Sequence, residues 1–531
     1  MLVPLVALRV YCAFTLAPNS DEPQHLHVVW AWTQGLVPYR DVFDNHAPLF
    51  QLLCAPLLGW LGERADIVAL MRLAMIPLYL CALWTTWRIG TSLWSRRVGA
   101  LAAVLVATAP IFFRVSAQFR PDDLWMVLWL GVVAVGVSRG SARRRALLGG
   151  VLLGAAFAVS LKSTLLVATA AAAWLIVLPI AKPSALRPSR AWIAPIACGL
   201  LAALSIPAML AAYFVAVGAG RDAVYCLFTH NLVADLGHWS GDDWRLLIPA
   251  LGGPLSVGWL WLTRPAEGDS GRWRPRAIAM LSAVFYLLVL YGCWPLVTHQ
   301  DLLPAIPLIG VGIAAVILPE RGAAQKRLRI LLAVAVAAAG AADLAFAGIP
   351  QHDELRDQEA ELAHVLKLTH ADDPVMDAKG EAIFRTRPIY WVLEGITEAR
   401  MRSGSIRDDI AERLASMATP VVIADRLPPD DARFVAANYL PVGGMLRIAG
   451  QSFGHVRRGQ AVSFDIRVPG EYELIAAGAE AHGELDGLPS MGPKRLETGR
   501  HQVVASRDSE LALVWAPALR RGLKPTDVFT R

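Results

Sequence analysis

Long apolar segments recur along the first two-thirds of this chain and limit what it can fold into. The chain has 531 residues, of which 55% are hydrophobic, and that share is too high for a soluble protein of this size. A helix needs roughly 20 apolar residues to cross about 30 Å of hydrocarbon. Windows of this kind predict eleven membrane-spanning helices, at residues 2–18, 67–89, 98–113, 122–138, 146–161, 164–181, 191–217, 245–262, 277–297, 302–318 and 328–348.

The opening segment is predicted to be a retained helix rather than a signal peptide. No basic segment precedes its apolar run, and no clear small-residue cleavage site follows it. Residues 1–348 are therefore expected to form one polytopic, mostly α-helical membrane domain.

Basic residues indicate how this domain is oriented. They occupy alternate connecting loops, as Arg88, Arg96 and Arg97, then Arg139, Arg143, Arg144 and Arg145, then Lys182, Arg187 and Arg190, then Arg264, Arg272, Arg274 and Arg276, and last Arg321, Lys326, Arg327 and Arg329. The positive-inside rule assigns such loops, and with them the N-terminus, to the cytoplasm. The loops at 19–66, 114–121 and 218–244, and all residues after about 349, are then external. The same loops account for much of the net charge of +6 without a nucleic-acid partner.

The composition changes beyond residue 350. Charged helical patterns at 352–368 and 408–418 accompany a short apolar run at 420–424, which predicts a small α/β domain over residues 349–447. Alternation in 462–468, followed by further strand-like runs, predicts a small β-sandwich over residues 448–531. We expect these exported domains to pack on the membrane domain or to position an acceptor, rather than to bind carbohydrate.

Acidic pairs mark the starts of two predicted helices. Asp21 and Glu22 emerge from the first membrane helix and begin a helix whose apolar face has the spacing of Leu26, Val29, Trp30 and Thr33. Asp122 and Asp123 follow the second external loop in the same way. Such acids commonly cap a helix and complement its dipole. Their position at the membrane exit equally favours a shared catalytic pocket.

Two cations lie within or beside apolar segments. Lys162 separates two predicted spans, and Arg72 lies about one and a half turns inside the second span from its external end. Either side chain can extend to the membrane interface or bind a lipid phosphate.

Several ordered motifs resemble those of the polytopic glycosyltransferases of the C superfamily, which include protein O-mannosyltransferases, aminoarabinose transferases and lipopolysaccharide-core galacturonosyltransferases. The motifs cover about residues 1–320. They are Asp21-Glu22, Gly35, Pro38-Tyr39-Arg40-Asp41, Asn45-His46-Ala47-Pro48-Leu49, Met71-Arg72-Leu73, Arg120-Pro121-Asp122, the Gly149–Phe157 run leading to Lys162, and His299 through Leu303-Pro304-Ala305-Ile306-Pro307.

The resemblance implies transfer of a sugar from a polyprenyl-phosphate donor to a lipid, glycan or protein acceptor of the cell envelope, such as lipopolysaccharide, on the external face of an inner membrane. It implies that Asp21 is the general base, because an acceptor hydroxyl needs a carboxylate to take its proton. Glu22 would orient Asp21 or contact the acceptor, and Asp122 would help to shape the site. Three residues are candidates to stabilise the leaving phosphate: Arg72, Lys162 and His299. Three more are candidates to bind the sugar, the acceptor or a divalent cation: Asp41, Asp44 and His46. No cofactor is implied with certainty.

Two other classes of function remain open from the sequence. A transporter or flippase would also have many helices and buried charges, although it would not need a large exported domain, and no internal repeat is evident. A non-catalytic assembly factor would use the exported domains for binding, although eleven spans are excessive for an anchor.

Overall fold

The computed structural model describes residues 2–181, 190–233, 243–262, 270–319, 326–477 and 483–529. Lys182, Arg187, Arg264 and Arg321, on which the predicted orientation partly rests, lie outside the described residues. The N-terminal part is helical: α1 Leu2–Thr15, α2 Asp21–Thr33, α3 Leu49–Leu61, α4 Ile67–Leu73, α5 Ile76–Leu93, α6 Arg96–Thr108, α7 Pro110–Val115, α8 Pro121–Val137, α9 Ala142–Val159, α10 Ser163–Ala181, α11 Arg190–Ala216, α12 Gly220–Val224, α13 Leu247–Leu262, α14 Ser270–Cys293, α15 Ile306–Ile317 and α16 Lys326–Asp343.

Helical segments coincide with each of the eleven predicted spans. Within the described ranges, six helical segments have the length and apolar composition to cross a membrane: Ile67–Leu93, Ser163–Ile180, Ile193–Ala216, Trp244–Leu262, Arg272–Cys293 and Arg327–Gly348. The chain is an integral membrane protein, and the predicted mostly α, polytopic fold is confirmed.

Helices α9 and α11 approach each other closely through small residues. A Cβ atom on Gly150 would lie 2.3 Å from the Gly199 carbonyl oxygen, and one on Gly154 would lie 2.4 Å from that of Ala203. Glycines four residues apart share a helix face, so they let two helix backbones come together. The conformation of residues 160–163, which follow α9, therefore depends on this contact.

The first external loop is more structured than the sequence suggests. The predicted helix at Asp21 is confirmed as α2, with Leu26, Val29 and Trp30 buried. A second helix, α3, is apolar and was not predicted. Its Leu53 and Trp60 are 59% and 81% exposed and lie seven residues apart, hence on one face.

The C-terminal region, from residue 349 on, has a mixed sheet at its centre. Its helices are α17 Arg356–Leu368, α18 Gly395–Arg402, α19 Ile410–Ser416, α20 Pro429–Asn438, α21 Ala516–Arg520 and α22 Pro525–Phe529. Its strands are β1 Val375–Met376, β2 Val421–Ile423, β3 Tyr439–Gly443, β4 Leu446–Val456, β5 Ala461–Ile466, β6 Gly470–Ala476, β7 Gly483–Leu485, β8 Leu488–Pro489, β9 Lys494–Leu496, β10 Gly499–Ala505 and β11 Ser509–Trp515. One sheet has the order β1-β2-β4-β11-β6-β9, with β3 also paired to β4, and the other has the order β5-β10-β7-β8.

Strand β4 joins the two predicted C-terminal domains. It pairs with β2 and β3 on one side and with β11 on the other. The predicted boundary between residues 447 and 448 falls within this strand, and one buried core runs from Val365 to Val528. The region is therefore connected through a continuous sheet, with the second sheet packed against its later strands.

We expect Gly150→Ala to lower the stability of the membrane domain by about 1–3 kcal/mol, because the new methyl group would meet the α11 backbone. Gly149→Ala is the matched control, since a Cβ there meets nothing closer than Val135 at 3.9 Å. Thermal unfolding of the purified variants in detergent measures the difference. Equal melting temperatures would contradict the proposed close contact.

Candidate active site

Glu22 connects three separate segments of the chain. Its two carboxylate oxygens accept bonds from Nε and Nη2 of Arg72, at 2.7 and 2.6 Å. The same oxygens accept the backbone N–H groups of Phe119 at 2.7 Å and Asn19 at 2.9 Å. Both side chains of the ion pair are 0% exposed. Glu22 therefore fixes the start of α2 against α4 and the second external loop.

Arg72 has no donor left for another ligand in this structure. Its remaining N–H groups donate to the carbonyl oxygens of Ala13, Leu16 and Ala17. All five donors of the guanidinium are thus used within the protein. The predicted contact with lipid phosphate stays a prediction, and the observed geometry makes Arg72 a positioning residue for Glu22.

Asp21, beside Glu22, lies between two cations. One carboxylate oxygen pairs with Nη1 of Arg120 and the other with Nζ of Lys379. Lys379 belongs to the C-terminal region, 358 residues away along the chain. The Asp21 side chain is 25% exposed, whereas the two cations are almost fully buried. A carboxylate with solvent access is therefore held in a fixed position.

The surroundings act on the pKa of Asp21 in opposite directions. Burial raises the pKa of Asp21, but the charges of Arg120 and Lys379 lower it by a larger amount. The pKa therefore lies well below the ordinary value for aspartate. Asp21 is thus ionised at neutral pH, as a proton acceptor must be.

Asp122 reaches the same cluster through Arg120. The Arg120 Nε donates to Asp122 at 3.0 Å, while its Nη1 also donates to Asn19 at 2.9 Å. The structure therefore brings together Asp21, Glu22 and Asp122, the three predicted catalytic acids. The neighbouring Asp123 is buried, with no hydrogen-bond partner at either oxygen among the residues that the structure describes.

Two histidines of the first external loop lie beside Asp21. The rings of His25 and His46 are 4.6 Å apart in a T-shaped arrangement. His46 bonds through Nδ1 to the buried Asp44 at 2.9 Å, and Gln51 donates to Asp44 at 3.3 Å. Burial lowers the pKa of His25 well below its usual value, so its ring is neutral. For His46, burial opposes the hydrogen bond and charge of Asp44, which together raise its pKa.

Several polar atoms of this loop are buried without a partner in the described part of the chain. They include Oε1 of Gln24, Nε2 of His25 and Oε1 of Gln51. Unpaired buried polar groups are costly and commonly mark a place where a ligand or water supplies the missing bond. These atoms are therefore available to form hydrogen bonds with the hydroxyl groups of a ligand.

Glu394 is a second residue that the C-terminal region contributes. It accepts a hydrogen bond from Asn45 at 2.9 Å and lies 3.9 Å from Lys379. Its other neighbour is His230, at 3.8 Å. Residues from three distant parts of the sequence therefore meet around Asn45.

Asp41 has a local structural role. It accepts the backbone N–H of Val37 at 2.8 Å and pairs with the exposed Arg40, also at 2.8 Å. These bonds close the turn in which Tyr39 adopts a positive φ of 71°. Of the three predicted sugar or acceptor ligands, the structure places Asp44 and His46 together and Asp41 in this turn. No cluster of three or more potential metal ligands occurs in the described ranges.

Lys162 contacts the short turn that precedes α15. Its Nζ pairs with Asp301, whose other carboxylate oxygen accepts the backbone N–H of Thr298 at 2.9 Å. Tyr286 donates to the Asp301 carbonyl at 2.8 Å, and His299 is exposed on the same short turn.

A groove runs between α14 and α15 and has a volume of about 380 Å³. Its lining is apolar and includes Met280, Ala283, Leu308, Ile313 and Val316. Two of the lining residues, Ala283 and Leu308, lie next to Tyr286, whose hydroxyl bonds to the Asp301 carbonyl.

Helix α8 contacts both the Asp21 cluster and the segment that carries Lys162. Its first turn carries Asp122, which accepts the bond from Arg120 at 3.0 Å. One turn further, Trp125 donates from its indole to Ser163, the residue after Lys162, at 3.0 Å.

The fold is similar to that of known glycosyltransferases. Neither a protein-family model nor a curated protein matches the sequence. Among solved structures, apo ArnT from Cupriavidus metallidurans matches with a TM-score of 0.59 at 14% identity, over 84% of this chain and 97% of that one. The same protein bound to undecaprenyl phosphate matches with a TM-score of 0.57 at 14% identity, over 84% and 96%. An oligosaccharyltransferase from Archaeoglobus fulgidus matches with a TM-score of 0.42 at 10% identity, over 79% and 69%.

The chain therefore shares the fold of ArnT, and the polytopic fold that its motifs predicted is confirmed. Its likeness to ArnT in particular extends beyond the motifs. Residues 1–320 are less than two thirds of the chain, whereas the match covers 84% of it. Part of the C-terminal region, expected to lie outside the resemblance, thus belongs to the shared fold.

Sequence analysis missed three charged residues of the site. Arg120 has no role in the sequence pattern beyond the Arg120-Pro121-Asp122 motif, and the pattern assigns none to Lys379 and Glu394. For Arg120, its position two residues before Asp122 in a predicted external loop is an available signal. Lys379 and Glu394 lie in an ordinary charged stretch, and nothing in the sequence pairs them with the first loop.

We expect Arg72→Met to destabilise the protein by about 3–5 kcal/mol, because it leaves the fully buried Glu22 without its counter-charge. Arg64→Met is the matched control, since it breaks an exposed pair with Asp66, for which roughly 0–1 kcal/mol is typical. Protein level in membranes and melting temperature in detergent report both. A similarly small loss of stability in both variants would show that the Glu22–Arg72 ion pair does not hold the first loop in place.

Proposed function

We propose that this protein transfers a sugar from a polyprenyl-phosphate donor to an acceptor hydroxyl on the external face of the plasma (inner) membrane. The observation that carries the proposal is the Asp21 carboxylate, which is partly exposed to solvent and is fixed in position by two buried cations, Arg120 and Lys379. The likeness to ArnT supports the enzyme class by fold analogy.

Asp21 is proposed as the general base. The acceptor oxygen forms a bond to the anomeric carbon and its proton passes to Asp21. The bond between that carbon and the phosphate oxygen breaks, and the phosphate leaves with the electron pair. Glu22 holds Asp21 in place through the start of α2, and a fixed base of this kind contributes about 10²–10⁴-fold to the rate.

The donor lipid is proposed to occupy the groove between α14 and α15. Its apolar walls suit a polyprenyl chain, and Lys162 is proposed to bind the phosphate at the end of that chain. A structure of ArnT contains undecaprenyl phosphate, which supports this donor class. The pocket around His25, His46 and Asn45 is proposed to bind the sugar or the acceptor.

The C-terminal region is proposed to complete the acceptor side of the site. Glu394 bonds to Asn45 of the first loop. A domain that served only as an anchor would not need such a contact. It favours a role in positioning the acceptor, which is a lipid, a glycan such as lipopolysaccharide, or a protein.

We expect Asp21→Asn to reduce sugar transfer at least 100-fold, because the amide cannot take the acceptor proton. The measurement uses membranes containing the protein and radiolabelled polyprenyl-phosphate sugars, and follows label into lipid, glycan and protein fractions. Asp66→Asn, an exposed acid of the same loop, is the control and should transfer normally. Equal labelling by wild type and Asp21→Asn would reject Asp21 as the base, and movement of intact donor across the membrane would favour a flippase.

We expect Lys162→Met to raise the KM for the donor about tenfold with a smaller effect on kcat, since the lysine would bind the phosphate before and during transfer. Lys162→Arg should restore most of the donor affinity because it keeps the charge. Initial rates at varied donor concentration give both constants. An unchanged KM in Lys162→Met would remove Lys162 from the donor site.

A further inference from the structure

A turn in the C-terminal region is built to present Lys379 to Asp21. The buried Asp377 accepts the backbone N–H groups of Gly380 at 2.7 Å and Ala382 at 2.8 Å. It also pairs with Arg387 at 2.7 Å. These bonds fix the backbone on both sides of Lys379, so the position of its side chain is not that of a free surface lysine.

The same turn packs directly on α2. Gly380 has φ of +85°, and a Cβ atom on it would lie 2.9 Å from the Cβ of His27 and 3.2 Å from the Pro23 carbonyl oxygen. His27 in turn bonds through Nδ1 to the Ile383 carbonyl at 2.9 Å. Such a close approach requires glycine. It brings Lys379 to the one turn of α2 that carries Asp21.

In this arrangement both oxygens of Asp21 are engaged. Arg120 takes one and Lys379 takes the other. Each oxygen keeps a second lone pair that an acceptor hydroxyl can reach, but two cations in contact with the carboxylate make it a weak base. Loss of at least one cation from Asp21 would therefore favour proton transfer.

A donor phosphate is the natural competitor for these cations. Arg120 and Lys379 both reach a single carboxylate, and a phosphate offers the same kind of paired anionic oxygens. Each cation also retains a second acid, Asp122 for Arg120 and Glu394 for Lys379. These acids can keep the cations in place when their bonds to Asp21 are exchanged for a phosphate.

We propose that Arg120 and Lys379 complete, together with Lys162, the binding site for the donor phosphate, that Asp21 occupies the Arg120–Lys379 part of it in the resting protein, and that arrival of the phosphate releases Asp21 to act as the base. This inference rests on the proposed function. It couples the two substrates, because the acceptor is activated only after a donor has bound. The exchange would also make Asp21 more basic, since burial, which raises its pKa, would remain after the two cations turn to the phosphate.

The exchange predicts an unusual effect of a single substitution. We expect Asp21→Asn to bind undecaprenyl phosphate about tenfold more tightly than wild type, because the carboxylate no longer competes for the cations. Lys379→Met should bind it about tenfold more weakly, and Lys379→Arg should recover most of the loss. Native mass spectrometry of the purified full chain in detergent gives the affinities.

Controls separate charge exchange from damage to the fold. Undecaprenol, which lacks the phosphate, should bind all variants equally. Glu63→Gln is the matched control. Glu63 also forms a charged contact between this loop and the C-terminal region, because it accepts a bond of 2.8 Å from Arg385. This variant should leave the phosphate affinity unchanged. If Asp21→Asn does not fold, the Lys379→Met and Lys379→Arg pair decides the proposal.

The outcomes distinguish this inference from the proposed function. Unchanged or weaker phosphate binding by Asp21→Asn, or undiminished binding by Lys379→Met, overturns the exchange even if wild type transfers sugar. The absence of phosphate binding to wild type and Asp21→Asn alike also overturns it. Tighter binding by Asp21→Asn in a protein that transfers no sugar would instead support the anion site and reject the transferase.

Discussion

The fully buried ion pair of Glu22 and Arg72 is the interaction on which the site depends. A charge taken out of water is tolerated only when a counter-charge and further hydrogen bonds replace the lost hydration, and here the backbone N–H groups of Asn19 and Phe119 supply those bonds. The pair therefore joins the first external loop, helix α4 and the second external loop at one point. Asp21 is the next residue, so its position follows from a contact in which it takes no part. Helix α8, which begins beside this point, contacts Ser163, the residue after Lys162, through Trp125.

The C-terminal region is part of this arrangement. It contacts the first loop through the side chains of Lys379, Glu394 and Arg385. Its backbone packs closely on α2 at Gly380, where a side chain would not fit. A domain that merely followed the membrane part would expose its charged side chains to water, where they are solvated at no cost. Instead Lys379 is almost completely buried against Asp21. The membrane domain thus carries Asp21, and the C-terminal region supplies a cation, Lys379, and an acid, Glu394, that lie beside it.

Sequence reasoning was effective where the solvent dictates the pattern. The eleven apolar windows each coincide with helical segments because lipid requires apolar residues over a fixed length. The helix at Asp21 and the strands at 461–466 and 511–515 follow from local periodicity in the same way. Helix α3 was not predicted because the loop that contains it was recognised only by its acidic residues. The boundary at 447/448 separates two composition patterns, but β4 hydrogen-bonds to strands on both sides of it.

The sequence by itself determined a polytopic membrane protein, its acidic external loop, and the residues Asp21, Glu22 and Asp122 that the structure brings together. These features are local, since hydropathy and helix starts are set by neighbouring residues. Only the tertiary structure decided what each charge is paired with. It directs Arg72 to Glu22, Lys162 to Asp301 and Lys379 to Asp21. The physical reason is that a buried charge must find its counter-charge in space, and partners 50, 139 and 358 residues apart leave no trace in the local pattern.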